Sequence, residues 1–339
     1  MQFASTAKAA TGILYDSDFG RGIDSVLALG LLHGFAGKVQ ARISALTINY
    51  ACLPAAQLCD VVEAFYRKPV ADPAAAYLAA PAIGILEAAG KTVAEPALIQ
   101  ATLSQKGEAD KPKWRSTIKR WNDTAVPEIL MRNALEAQQD ANAVMVMTGA
   151  ATNLARLLAL HDIQPLIQAK VKMLVVAGGR FAPGTADAAF ASDAAAAKLV
   201  LAEWPAPIVF CGREIGEQIL FPFHSIENDF SYAPAHPVVD AYRSCKATPY
   251  NATTCAVAAM LYAVRPSDGY FSAGKPGTVS LSSDGRTVYS ESVAGKHSYL
   301  TAVPAKQSEM IQKLTEMVSA KPVFPGPRGQ KKDAAEKQL

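Results

Sequence analysis

Apolar residues in this chain fall into short continuous runs separated by stretches where they recur at helical spacing. The first run, Ile13-Leu14-Tyr15, breaks into Asp16-Ser17-Asp18, passes Gly20 and Gly22, reaches Asp24-Ser25 and resumes as Val26, Leu27 and Leu29. That pattern predicts strand, acidic glycine-rich loop, helix. The alternation continues. Strands are predicted over 41–49 (ARISALTIN), 143–147 (AVMVM), 171–177 (VKMLVVA) and 207–211 (PIVFC), and helices over 54–66 and 194–204. Buried strands alternating with helices predict an α/β fold, an open and mostly parallel sheet flanked by helices.

Other segments are less regular. The alanine- and proline-punctuated stretch 69–113 predicts short helices around 82–89 and 97–104, and Asn122-Asp123-Thr124 ahead of Pro127-Glu128 predicts the start of a helix through Ile129, Leu130 and Leu135. A β-hairpin is predicted over 277–289, because Asp284-Gly285 between alternating runs favours a type I′ turn. An amphipathic helix over 306–318, apolar at Met310, Ile311, Leu314 and Met317, closes a domain spanning 1–320. The Pro-, Gly- and Lys-rich tail over 321–339 predicts disorder.

Composition narrows the function classes. With 339 residues and 50% hydrophobic content the chain can bury a full core, and 33 basic against 30 acidic residues, net +3, predicts neither a nucleic-acid nor a membrane surface. The five cysteines form no Cys-x-x-Cys pair and read as structural thiols, with Cys245 and Cys255 able to pair in an oxidising compartment. No basic n-region precedes an apolar h-region, which reads as cytoplasmic, or as periplasmic or secreted if a leader has been trimmed.

Candidate chemistry centres on the first loop. Asp16 and Asp18, two apart at a strand's carboxyl end, are expected to project together, where open α/β sheets bind ligands. Asp24 reads either as a helix N-cap or as a partner for a sugar diol. Among the histidines, His33 and His161 read as surface or packing residues, while His224, His236 and His297 fall in loop-like segments, His236 as a structural residue.

Asp16, Asp18, Gly20 and Asp24 resemble the N-terminal motif of the inosine–uridine preferring nucleoside hydrolases, an Asp-x-Asp, a Gly, then Asp-Asp-Ala opening a helix. Ser25 stands at the second Asp of that pair. The resemblance extends through Thr152-Asn153, Gly178-Gly179, Asp193 with the alanine-rich helix after it, and the segment around Asn251 to Ala256. It implies an N-glycosidase in which water cleaves the ribose–base bond, with Asp16 as the base. It further implies Asp18, Asp24, Asn49 and Asp187 on the sugar, Asn49 being alternatively a strand-end cap. Calcium would be held at Asp16, Ser25, Thr152 and Asn251, Thr152 through its carbonyl. Thr152 also reads as a helix N-cap.

The sequence departs from the family pattern at two carboxylate positions, now Ser25 and Asn251 or Ala256, and at the leaving-group His. Calcium affinity rises with carboxylate number, so weak binding at best is expected. The implied partner is a small ribonucleoside or ribose-like ligand, with neither nucleic acid nor membrane, and the implied assembly a homodimer or homotetramer. The alternative is a catalytically silent relative that binds a nucleoside or sugar. A phosphatase of the haloacid-dehalogenase type also begins with Asp-x-Asp after a strand, but the chain has no Asp-Asp dipeptide to serve as its later acidic pair.

Overall fold

The computed structural model describes residues 9–67, 82–87, 93–181, 190–282 and 286–323. Ten strands form one sheet: β1 (Thr11–Ser17), β2 (Ala41–Ile48), β3 (Ile83–Ile85), β4 (Ala143–Thr148), β5 (Val171–Ala177), β6 (Ile208–Cys211), β7 (Phe271–Ala273), β8 (Gly277–Leu281), β9 (Thr287–Glu291) and β10 (His297–Ala302). Their order is β3-β2-β1-β4-β5-β6-β10-β8-β9, with β7 paired to β10. The first six strands and β10 run parallel, while β7, β8 and β9 add antiparallel pairings at one end.

The parallel strands are apolar on both faces because helices cover both. In β1, Ile13 and Tyr15 join one buried cluster with helices Ile23–Gly37 and Cys255–Val264, while Leu14 joins a second on the opposite face. Period-two alternation thus divides one strand between two cores. Helix Gln307–Val318 lies against helix Ile23–Gly37 at Gly34, where a Cβ would sit 2.1 Å from the Met317 carbonyl oxygen.

Strand order reverses between β1 and β4, which leave opposite sides of the sheet's midline. A crevice opens at the carboxyl ends of strands at such a point. The residues that follow β1, β2 and β4 are therefore delivered to one place.

Three local expectations are corrected. The helix around 82–89 is instead the edge strand β3, paired with β2 at Leu46↔Ile83 and Ile48↔Ile85, while 88–89 lie outside the described residues. A three-residue strand carries no periodicity of its own; its pairing comes from β2. Next, 121–123 form a 3-10 turn, and the α-helix begins only at Pro127. Asp123 holds that turn apart by accepting the Lys119 and Arg120 N–H groups. Finally, His224 lies in helix Phe223–Asn228 and His297 in β10 rather than in loops.

Strands β8 and β9 form the predicted hairpin, whose Asp284-Gly285 turn lies outside the described residues, as does the tail from 324. The five cysteines are free; Cys255 Sγ donates to the Cys211 carbonyl at 3.3 Å instead of pairing with Cys245. No described helix is long and apolar enough to cross a membrane.

Candidate active site

A cavity of about 900 Å³ opens at the strand-order reversal, lined in part by Asp18, Asp24, Ser25, Asn49, Thr148, Thr152 and Ala256. Two neighbouring aspartates take different positions at its floor. Asp18, one residue beyond β1, lines the cavity; Asp16, inside β1, is buried at 2% exposure and does not. This corrects the expectation that the pair faces a ligand together. Asp16 sits across from Thr47 in β2, and neighbours from three elements close over it.

Those neighbours form a neutral donor shell. Thr47 Oγ1 and Asn153 Nδ2 donate to Asp16 Oδ1 at 2.6 and 2.8 Å, and Asn49 Nδ2 donates to Oδ2 at 3.2 Å. Burial nevertheless dominates the three bonds and pushes the Asp16 carboxyl up to about 6. Asn49 and Asn153 are tied further, to the carbonyls of Thr148 and Ile48. Each leaves a buried Oδ1 without a partner among the described residues. Asn49 also lines the cavity.

Asp18 is oriented by Thr148, whose hydroxyl donates to Oδ1 at 2.8 Å, and its backbone N–H bonds the Thr148 carbonyl at 3.2 Å. Among the described residues nothing bonds Oδ2. The approach requires glycine at 149, where φ is +81° and a Cβ would lie 2.6 Å from the Asp18 Cβ. The Asp18 carboxylate is thus aimed, with one oxygen held and the other open.

The opposite wall is the start of helix Cys255–Val264. Asp24 does not cap its own helix, whose N-cap is Gly22 without a side-chain bond. It accepts instead the Ala256 and Val257 N–H groups at 2.7 and 3.1 Å. Although Asp24 keeps a partial opening to the cavity, the surrounding protein strips away most of its water and pushes its carboxyl up to about 7, against the pull of those two donors. The negative charge of Asp18 raises it further and the Arg213 guanidinium lowers it.

The remaining candidates scatter. Ser25 Oγ donates to the Gly22 carbonyl and accepts the Gly20 N–H, both at 3.0 Å, closing the glycine-rich loop. Thr152 opens helix Thr152–Leu158 without capping it, its hydroxyl donating to Asp193 Oδ2 at 2.7 Å. Asn251 lies outside the cavity lining and accepts the Phe223 N–H at 3.0 Å. Asp187 lies outside the described residues.

Calcium, implied by the family resemblance, does not fit these residues. The ion takes six to eight oxygen ligands. Here Ser25 is spent within its loop, Asn251 is elsewhere, Ala256 offers no side-chain oxygen, and Asp24 is already bonded to backbone N–H groups. Among the described residues no cluster of three His, Cys, Asp or Glu side chains is arranged for a metal.

None of the five histidines lines the cavity. His236 caps helix Pro237–Cys245 by accepting the Val238 N–H, and burial lowers it to about 3. Two cavity residues, Thr148 and Arg213, and Thr47, which bonds Asp16 beneath the cavity, belong to ordinary strand ends and helix starts and have no local signature. The Thr-Asn pair at 152–153 is the one sequence signal for Asn153, another Asp16 partner.

Comparison with known proteins places the chain in a family and matches its fold. The family model for inosine-uridine preferring nucleoside hydrolase matches residues 13–318. A plant nucleoside hydrolase has a similar structure at 18% identity and TM-score 0.62, covering 91% of this chain and 99% of that one. An inosine-uridine preferring nucleoside hydrolase from Bacillus anthracis is similar at 16% identity and TM-score 0.61, with 91% and 99% covered. A purine-preferring ribonucleoside hydrolase from Gardnerella vaginalis is similar at 14% identity and TM-score 0.63, with the same coverage. At such identities these structures show a shared fold. No curated protein matches the sequence.

Proposed function

Because the chain belongs to the inosine-uridine preferring nucleoside hydrolase family, we propose that it hydrolyses the N-glycosidic bond of ribonucleosides in this cavity, with Asp18 as base. One observation carries the assignment of the base. Asp18 is the floor carboxylate with one oxygen fixed by Thr148 and the other open to the cavity. Asp16, the base implied by the sequence resemblance, is enclosed by Thr47, Asn49 and Asn153 and serves to position the two asparagines.

In this reading the ribose lies over Asn49 and Asp24. Asn49, and the Asp24 carboxylate rigidly held by two backbone N–H groups, make hydrogen bonds with the ribose hydroxyls. Asp18 takes a proton from water while the water oxygen attaches to C1′. The C1′–N bond breaks, and its electron pair leaves with the base. Negative charge from Asp18 and Asp24 stabilises the oxocarbenium-like sugar, much as paired carboxylates do in glycoside hydrolysis.

A second reading, nucleoside binding without turnover, draws support from Ser25 and Ala256, which supply no carboxylate where the family pattern carries them. Ribose release from inosine and uridine, measured with chelator and with added calcium, separates the two. Release in chelator that Asp18→Asn lowers by about 10²-fold or more supports the first reading. Thermal stabilisation by inosine without any release supports the second. Release that depends on calcium would overturn the metal-free assignment.

A further inference from the structure

Breaking the C1′–N bond sends an electron pair into the departing base, and among the described residues no histidine lines the cavity to meet it. The lining is mixed in charge, with Glu87 and Asp193 beside Arg21, Arg156 and Arg213, so net sign singles out no group. Fixation does. Burial pushes the Asp24 carboxyl up and Arg213 lowers it, which places Arg213 within electrostatic reach of the sugar wall. Arg156, on helix Thr152–Leu158, has neither a ring contact nor an ion pair among the described residues. Arg21 is the one of the three held over a ring, its guanidinium 4.4 Å from the centre of Tyr50.

That stack is built onto the floor residues. Tyr50 follows Asn49 directly, is buried, and donates from its hydroxyl to the Phe19 carbonyl at 2.7 Å, tying the loop after β2 to the loop after β1. The Arg21 N–H donates to the Asp18 carbonyl at 3.1 Å, which tightens the same loop. Burial pushes the Tyr50 hydroxyl up, Arg21 opposes the rise and Asp18 adds to it, so both charges lie within electrostatic reach of the ring. Stacking occupies one face of a guanidinium and leaves its edge of N–H donors free. Among the described residues no hydrogen bond or ion pair takes those donors.

We propose that Arg21, held on Tyr50, is the catalytic residue that receives the departing base, and that the base it receives is a 6-oxopurine. The inference deepens the hydrolase reading above and rests on it. An arginine stays charged and cannot act as a proton donor in the step. As the C1′–N9 bond breaks, its electron pair spreads over the purine ring, and the guanidinium edge donates to O6 and N7, where that charge collects. Asp18 takes the proton of the attacking water, and solvent supplies the proton that restores a neutral base. A 6-aminopurine presents a donor where the fork needs its second acceptor, so it is the poorer leaving group here.

Kinetics on the full chain test it, with inosine, adenosine and p-nitrophenyl β-D-ribofuranoside, whose nitrophenolate leaves without help. The wild type should favour inosine over adenosine by about tenfold or more in kcat/KM. Arg21→Met should lower kcat/KM for inosine by about 10²-fold more than for the nitrophenyl riboside, with its melting temperature reporting that it is folded. Arg21→Lys, which keeps the charge but not the fork, should no longer distinguish inosine from adenosine. Equal losses on inosine and the nitrophenyl riboside, or an inosine-specific loss in Arg156→Met instead, would overturn the assignment of Arg21 and leave the hydrolase reading standing. Adenosine turned over as fast as inosine would overturn the 6-oxopurine class. Absence of ribose release from all three substrates would remove both this proposal and the reading beneath it.

Discussion

The floor of the cavity and its helical wall each hold an aspartate, and they hold it by different means. At the floor, Asp16 is surrounded by side-chain donors from β2 and from helix Thr152–Leu158, and it presents nothing to the ligand. At the wall, Asp24 is held by the first backbone N–H groups of helix Cys255–Val264 and still opens to the cavity. The difference teaches that burial with neutral side-chain donors makes a carboxylate a support, whereas backbone donors on one side leave its other side for a ligand.

The largest effect should come from removing the floor support. Asp16→Ala strands the donors of Thr47, Asn49 and Asn153, and with roughly 1–3 kcal/mol for each unsatisfied buried group it should lower unfolding free energy by about 3 kcal/mol or more in urea titration. A variant that loses turnover but keeps its stability would instead make Asp16 a catalytic group and break the contrast.

Gly149→Ala comes next. It combines a positive φ with a Cβ pressed on Asp18, and should cost about 1–3 kcal/mol while reducing ribose release more than inosine binding. Equal losses in both would show that Asp18 serves binding rather than chemistry.

A smaller effect concerns pH. The Asp24 and Asp16 carboxyls, raised to about 7 and about 6 in the folded protein, favour the protonated form relative to an unfolded chain titrating near 3.8. Their contribution to stability is full below about pH 4 and is lost as pH rises through 6 and 7. Stability of the wild type should therefore fall between about pH 4 and pH 7, and Asp24→Asn should flatten the upper part of that fall, as read by melting temperature across pH. An unchanged slope would show that Asp24 keeps its charge at no cost, sharpening the role of the backbone donors.

Much of the fold was legible because its signals are local. The runs at Ile13 to Tyr15, Ala143 to Met147 and Val171 to Ala177 announced buried strands, and the helical spacing after Asp24 announced the first helix. Edge strand β3 and the cavity role of Thr148 were illegible, since the one depends on pairing with β2 and the other on proximity to Asp18, 130 positions away. Arg21, Arg156 and Arg213 were equally silent, until the loop after β1 and the helices after β4 and β6 bring them around one opening.

By itself the sequence determined the alternating α/β order, the glycine-rich acidic turn after the first strand, and the family to which these belong, because hydrophobic periodicity and turn chemistry act over a few residues. Tertiary structure alone decided which aspartate meets the cavity. Alternation placed Asp16 and Asp18 together in principle, but Asp16 lies within the paired strand and is covered by its neighbours, while Asp18 lies past the last pairing and turns into the crevice. It also decided the fate of Asp24, whose partners lie 232 and 233 positions along the chain. A carboxylate's role follows from its donors and its access to water, and both are set by residues that only the folded chain brings near.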